Sequence, residues 1–172
     1  MRNVRFAARL SLSTMSDFAT PVEDRWFEDY VPGDVHEFGS ATVTEEEILS
    51  FAGRFDPQPI HVDPAYAVDG PFGGLIASGW HTASLFMRMF TDHYLSKVAS
   101  LASPGIDELR WTAPVRPGDT LRARVTVAEA RVSRSKPDRG LVRTDVAVLN
   151  QDDVTVLTMS AVNILRRRSV LS

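Results

Sequence analysis

The residues best suited to chemistry in this sequence are a carboxylate and an imidazole placed five positions apart. They are Asp56 and His61, in the segment Asp-Pro-Gln-Pro-Ile-His, where two prolines restrict the backbone between them. A histidine beside a carboxylate can orient a water molecule, remove one proton and return another. The same residues also fit a plainer interpretation, in which the aspartate is solvated and the histidine bonds a backbone carbonyl.

A second candidate feature is the pair Ser78 and Gly79, which stands at the start of a predicted helix. Helix N-termini offer unpaired N–H groups and a partial positive charge, and glycine lets a ligand oxygen approach the backbone. This arrangement can stabilise a developing oxyanion. It also fits a structural role, with Ser78 as the helix N-cap and Gly79 as a close-packing residue.

Other kinds of reactive site find little support in the sequence. There is no cysteine, which excludes disulfides, zinc-thiolate sites, iron–sulfur clusters and thiol nucleophiles. Residues 74–79 do not form a G-x-S-x-G nucleophile elbow, and the glycines at 70–74 lack the Lys-Ser/Thr of a P-loop. We expect no metal site, because the four histidines lack metal-ligand spacing. These histidines are His36, His61, His81 and His93.

Basic residues cluster at the tip of a predicted hairpin. Such a run is either a solvated face or a contact for a nucleotide phosphate. The residues are Arg131, Arg134, Lys136 and Arg139.

The helices that must position these groups follow from the apolar pattern. Thr44 and Glu47 form a capping box, which predicts a short helix running to about Phe55. The stretch from Asp56 to Gly74 is rich in proline and glycine and has no regular period, so we predict a long ordered loop. A long helix, apolar over most of its circumference, is predicted from about Gly79 to Lys97.

Strand patterns fill the rest of the chain, so the predicted fold class is α+β, an antiparallel sheet around one buried helix. Apolar and polar residues alternate over 121–127, and two further strands are predicted at 139–150 and 154–166. The last is apolar on both faces, so we place it centrally. A strand at 106–114 and one or two N-terminal strands complete the predicted sheet.

The composition is that of one globular domain. Hydrophobic residues make up 44% of the 172 residues, and 19 basic against 22 acidic residues argue against a nucleic-acid or anionic-membrane surface. No run of 18 apolar residues is present, so we expect a soluble, cytoplasmic protein that does not bind membranes.

The N-terminal residues differ from the rest. Residues 1–16 hold three arginines and no acid, a composition typical of an organelle transit peptide, unless Met15 is the true initiator. We therefore predict that residues 1–20 are a flexible leader or a mis-assigned start. Residues 21–168 are predicted to form a single domain and residues 169–172 a tail.

Three segments, in this order, resemble the MaoC-like dehydratases, a family that includes the (R)-specific enoyl-CoA hydratases. They are residues 55–63 (FDPQPIHVD), 72–79 (FGGLIASG) and 109–119, which ends in Arg-Pro-Gly-Asp. The resemblance covers about residues 26–168. It implies a hot-dog fold, in which a curved antiparallel sheet wraps around one long central helix.

The resemblance also implies roles for single residues. Asp56 and His61 would be the catalytic pair, and the backbone N–H of Gly79 would polarise a thioester carbonyl. Where this chain has Gln-Pro at 58–59 and Ser-Gly at 78–79, the hydratases usually show Asn-Pro and often His-Gly. The residues of these motifs predicted to bind substrate are Ile60, Phe72, Gly74 and Ser78.

The implied activity is reversible hydration of the 2,3-double bond of an enoyl thioester, carried by CoA or an acyl carrier protein, without metal or redox cofactor. CoA phosphates would contact Arg131, Arg134 and Lys136. Two alternatives stay open, a hot-dog acyl-CoA thioesterase and a non-catalytic acyl-CoA-binding partner subunit. One helix on one sheet leaves an exposed sheet edge and a shallow core, so we expect a homodimer or a dimer of dimers.

Overall fold

The predicted antiparallel sheet has five strands in the computed structural model, which describes residues 18–168. Their order across the sheet is β1-β3-β4-β5-β2, so β4 is the middle strand and β1 and β2 are the edges. The strands are β1 (Val35–Thr42), β2 (Ser100–Trp111), β3 (Thr120–Val132), β4 (Arg139–Leu149) and β5 (Thr155–Arg166).

The strand predictions agree well at β4 and β5, and β5 lies inside the sheet between β4 and β2. Of the one or two predicted N-terminal strands, the described residues contain one, β1. The strand predicted at 106–114 begins earlier, at Ser100, even though Pro104 and Gly105 lie within it. Its register against β5 shifts at three places, and an edge strand tolerates proline and such irregularities because one of its sides needs no partner.

Four α-helices and one 3-10 helix (Phe27–Asp29) accompany the sheet within residues 18–168. The α-helices are α1 (Glu45–Phe55), α2 (Pro59–Val62), α3 (Pro64–Val68) and α4 (Gly79–His93). The capping box of α1 is confirmed, since the Thr44 hydroxyl accepts from Glu47 N–H and the Glu47 carboxylate accepts from Thr44 N–H. The prediction of a loop without helix over 56–74 is wrong. Pro59 and Pro64 each stand in the first turn of a short helix, where a missing N–H costs nothing.

Helix α4 packs on the inner face of the sheet through Phe86, Met89 and Phe90, which are buried. It ends at His93, four residues before the predicted end. Its opposite side is open within the described chain, where Trp80 is 57% and Met87 47% exposed. The sheet with one long helix confirms the α+β class, but this protomer surrounds the helix less completely than the pattern predicts.

The end of α4 is fixed by a buried arginine. The Arg25 guanidinium donates to the carbonyls of Tyr94 (2.7 Å) and His93 (3.2 Å), which have no partner inside the helix. It also donates to Thr20 O and lies 3.4 Å from the centre of the Phe18 ring. These contacts stop the helix before the predicted boundary at Lys97.

The predicted ends of the domain are only partly described. Residues 1–17 of the predicted leader and the predicted tail at 169–172 lie outside the described residues. Phe18 stacks on His36 and Thr20 bonds Asp29, so the packed part of the chain begins before residue 21. Within residues 18–168, no helix is long and apolar enough to cross a membrane.

Candidate active site

The ends of three helices meet at the predicted acid and imidazole. Asp56 follows the last residue of α1, His61 lies on α2, and Ser78 is the N-cap of α4. These three side chains are therefore positioned by helices, which hold them more firmly than an irregular loop would.

His61 is buried and oriented by a backbone carbonyl. Its Nδ1 lies 2.9 Å from the oxygen of Ile76, and because a carbonyl only accepts, Nδ1 carries the proton in the neutral ring. Nε2 then keeps its lone pair and lies 3.6 Å from Oδ2 of Asp56. The plainer interpretation correctly predicts that His61 bonds a backbone carbonyl. In the neutral ring, that bond leaves Nε2 able to act as a base.

Asp56 is held by two side-chain donors. Ser78 Oγ donates to Oδ2 at 2.6 Å, and the Gln58 amide donates to Oδ1 at 2.7 Å. These bonds favour the charged carboxylate, and they lower its pKa, with Ser78 as the larger cause and Gln58 as the second. Asp56 is therefore ionised at neutral pH.

The Ser78 hydroxyl has two partners. It accepts from the backbone N–H of Trp80 at 3.2 Å, as an N-cap should, and donates its own proton to Asp56. The side chain is fully buried. The expected capping role is confirmed, and the same hydroxyl also fixes the position of the carboxylate.

A pocket of about 320 Å³ opens beside His61. It is bounded by α2, by Phe72, by the first turn of α4 and by residues 111–115. Of the predicted site residues, Ile60, His61, Phe72 and Gly79 line the pocket, whereas Asp56, Gly74 and Ser78 are not among its lining residues.

Gly74 has a conformational role at the back of the loop. Its φ of +146° is one that residues with a side chain rarely adopt, and a Cβ there would lie 3.4 Å from the Arg116 guanidinium. Arg116 in turn donates to the carbonyl of Phe72 at 2.5 Å. The arginine therefore ties the loop that carries Phe72 to the chain segment before β3.

The predicted phosphate-binding residues lie far from this pocket within one protomer. Through the sheet register, Gly140 at the hairpin end of β4 is level with Ser100, and Val148 is level with Trp111. Gly140 and Val148 are eight residues apart, about 26 Å at ~3.3 Å per residue. The residues on the hairpin are Arg131, Arg134 and Lys136.

Three residues of the site were missed by the sequence analysis. Gln58 stands inside the recognised motif, but its bond to Asp56 depends on the turn into α2. Trp111 and Arg116 stand in the third motif, and only the tertiary fold shows that they reach Gly79 and Phe72. Within the part of the chain that the structure describes, no three His, Asp or Glu side chains are grouped to hold a metal ion.

Comparison with known proteins gives consistent matches. The family model for the MaoC like domain matches residues 29–150. Among curated relatives, 3-hydroxyacyl-thioester dehydratase Z of Mycobacterium tuberculosis is 43% identical over 84 residues, which is 48% of this chain and 56% of that protein.

Solved structures agree in fold. A MaoC-like dehydratase from Rhodospirillum rubrum is 38% identical with a TM-score of 0.78, covering 84% of this chain and 98% of that one. The R-hydratase PhaJ1 from Pseudomonas aeruginosa is 25% identical with a TM-score of 0.65, covering 83% and 86%. These neighbours confirm the expected hot-dog fold.

Proposed function

Because the chain belongs to the MaoC-like domain family, whose named relatives include hydratases and dehydratases, we propose that it reversibly hydrates a 2-enoyl thioester to a 3-hydroxyacyl thioester. The coarser assignment, a lyase of the hydratase and dehydratase type, follows from the family itself. The observation that carries the proposal is the geometry of His61, which lines the pocket, bonds the Ile76 carbonyl through Nδ1 and has Nε2 3.6 Å from Oδ2 of Asp56.

Water addition would use both side chains. A water molecule that contacts Oδ2 of Asp56 and Nε2 of His61 has its oxygen directed at C3 of the substrate. As the new C–O bond forms, the water proton passes to Nε2, and the nearby carboxylate stabilises the resulting imidazolium. The imidazolium then gives its proton to C2, so that OH and H are added and the base is regenerated.

The electron pair of the double bond moves to the thioester oxygen in the first step. A thioester α-proton is only weakly acidic, so this enolate needs stabilisation. The backbone N–H of Gly79, at the first helical position of α4, would donate to it, and the positive end of the helix dipole adds to the effect. The saturated and unsaturated thioesters share the same carbonyl, so the same donor serves both directions.

We propose a homodimer that pairs two β2 edges into one sheet. β2 is exposed over most of its length, and Ile106 in its middle is 54% exposed. Antiparallel pairing would place the Ser100 end of the second copy beside Trp111 of the first. The basic hairpin of the second copy would then be level with the pocket of the first and about 14 Å from it across the sheet, three strand spacings of ~4.8 Å, a distance that an extended CoA can span.

The activity is tested by following loss of enoyl absorbance with (2E)-butenoyl-CoA. We expect Asp56→Asn and His61→Ala each to lower kcat by about 10²- to 10⁴-fold. Asp69→Asn and His93→Ala are matched controls on exposed residues and should retain the wild-type rate. Equal rates in all five proteins would refute the assignment.

The same samples distinguish the alternatives. Release of free CoA from saturated butanoyl-CoA, detected with a thiol reagent, would identify a thioesterase. Tight binding of butanoyl-CoA with neither hydration nor hydrolysis would identify a binding subunit.

A further inference from the structure

The indole of Trp111 covers the residue that would donate to the thioester oxygen. Trp111 ends β2 and lines the pocket. A Cβ built on Gly79 would clash with the indole and lie only 2.6 Å from its Cδ2 atom, so the ring is in direct contact with the α-carbon of Gly79. No aromatic side chain is needed there for acid–base chemistry.

The indole is also held in place. The next residue, Thr112, donates from its N–H to Val156 O at 3.0 Å and from its hydroxyl to Thr155 O at 2.6 Å. Trp80 packs against the indole edge-on, with 5.3 Å between ring centres and 76° between ring planes. Trp111 is 47% exposed, so its indole forms one side of the pocket, and its contacts with Gly79 and Trp80 favour this position of the ring.

We propose that Trp111 determines substrate specificity by limiting the width of the acyl group next to the thioester carbonyl, so that thioesters unbranched at C2 are preferred to 2-methyl thioesters. The proposal rests on the proposed function. A carbonyl oxygen bound to Gly79 N–H places C2 within a few bond lengths of Gly79, and the indole occupies the space beside it. One methyl group in a close-fitting pocket changes selectivity by about 10- to 200-fold.

The test compares kcat/KM for (2E)-butenoyl-CoA and (2E)-2-methylbutenoyl-CoA in the wild type and in Trp111→Ala. We expect wild type to prefer the unbranched substrate, and Trp111→Ala to lower that preference at least tenfold. Equilibrium binding of butanoyl-CoA and 2-methylpropanoyl-CoA should show the same change. Because this binding measurement needs no turnover, it tests whether Trp111 limits the width of the acyl group even if the proposed hydration is wrong.

Two further variants separate a wall from a general loss of packing. Met87→Ala removes a large, exposed apolar side chain of α4 that does not line the pocket, and should change the preference less than about threefold. Trp111→Leu keeps an apolar side chain on the strand and should give an intermediate preference. An unchanged preference in both Trp111 variants, or an equal loss for branched and unbranched thioesters, would overturn the proposal.

Discussion

At the scale of single residues, the acid–base pair depends on side chains that perform no proton transfer. Ser78 and Gln58 hold the two oxygens of Asp56, and the Ile76 carbonyl selects the tautomer of His61. Each bond is individually worth a few kcal/mol at most, but together they leave one orientation for the reacting atoms.

The Ser78 bond predicts a shift in pH dependence. In Ser78→Ala the carboxylate loses its main stabilising donor, so the pKa of Asp56 rises toward its ordinary value. We expect the acid limb of the kcat/KM profile to move to higher pH and kcat to fall by about tenfold or more. Profiles of kcat and of kcat/KM from pH 3 to 9 measure both.

The control for this prediction is Ser84→Ala. The Ser84 hydroxyl also bonds within α4, donating to Trp80 O at 2.8 Å, but it is exposed and its bond stays within the helix. Its profile should match the wild type. An acid limb that stays in place in Ser78→Ala would show that the hydroxyl serves only as a helix cap.

Buried His81 predicts a loss of stability in mild acid. Burial lowers its pKa, the Glu47 charge opposes this shift as the smaller cause, and its ring stacks on Phe51. Since the fold favours the neutral ring, its contribution is complete above the unfolded pKa of about 6.5 and is lost as pH falls through the lower folded pKa.

Urea unfolding at pH 8 and pH 5.5 measures this effect. We expect His81→Leu to lose less unfolding free energy between the two pH values than the wild type. His93→Leu, at an exposed position on the same helix, should lose as much as the wild type. The hypothesis fails if all three proteins lose the same amount.

How far the sequence predicts the site depends on what each role requires. Asp56, His61 and Gly79 were found because their types and order form a motif, and His61 and Gly79 do line the pocket. The role of the Ile76 carbonyl cannot be predicted from the sequence, because every residue has a backbone carbonyl. Trp111 could be placed on a strand but not over Gly79, since that contact joins elements far apart in the chain.

At the scale of elements, helix α4 is secured at both ends by side chains from other segments. Ser78 caps its first turn, and Arg25 caps its last. The early end of α4 was not predictable from its apolar pattern, which continues beyond His93, because Arg25 comes from a distant part of the sequence. The two proline-started helices were missed because helices of four and five residues are too short to show a period.

Loss of the arginine cap predicts a large cost in stability. Arg25→Met removes the donor to the His93 carbonyl, leaves the Tyr94 carbonyl with only the Tyr30 hydroxyl, and loses the bond to Thr20 O, so we expect the unfolding free energy to fall by about 2–4 kcal/mol. Urea denaturation at pH 7 measures it. Arg88→Met, which breaks an exposed ion pair with Asp92 on the same helix, should cost less than about 1 kcal/mol.

At the scale of the whole molecule, the exposed β2 edge and the open side of α4 are consistent with the proposed homodimer. An exposed sheet edge could be predicted because one helix packs on one sheet. Identifying that edge as β2 required the strand order. β2 follows α4 in the chain but is the last strand of the sheet, next to β5.

The edge predicts the oligomeric state of two variants. Ile106→Lys places a charge in the middle of the exposed strand, and we expect light scattering to show monomers where the wild type gives dimers. Val132→Lys, at an exposed position at the end of β3, should remain dimeric. A wild type that is monomeric at micromolar concentration would contradict the homodimer.

The Ser78 hydroxyl makes two hydrogen bonds, and this restricts which residues can replace Ser78 during evolution. Serine, threonine, aspartate and asparagine all cap helices well, so an ordinary N-cap exchanges freely among them. At position 78 an aspartate would repel the Asp56 carboxylate, and a larger side chain would have to fit a fully buried site. The residue type at position 78 is therefore restricted by its bond to Asp56 as well as by its role as the N-cap of α4.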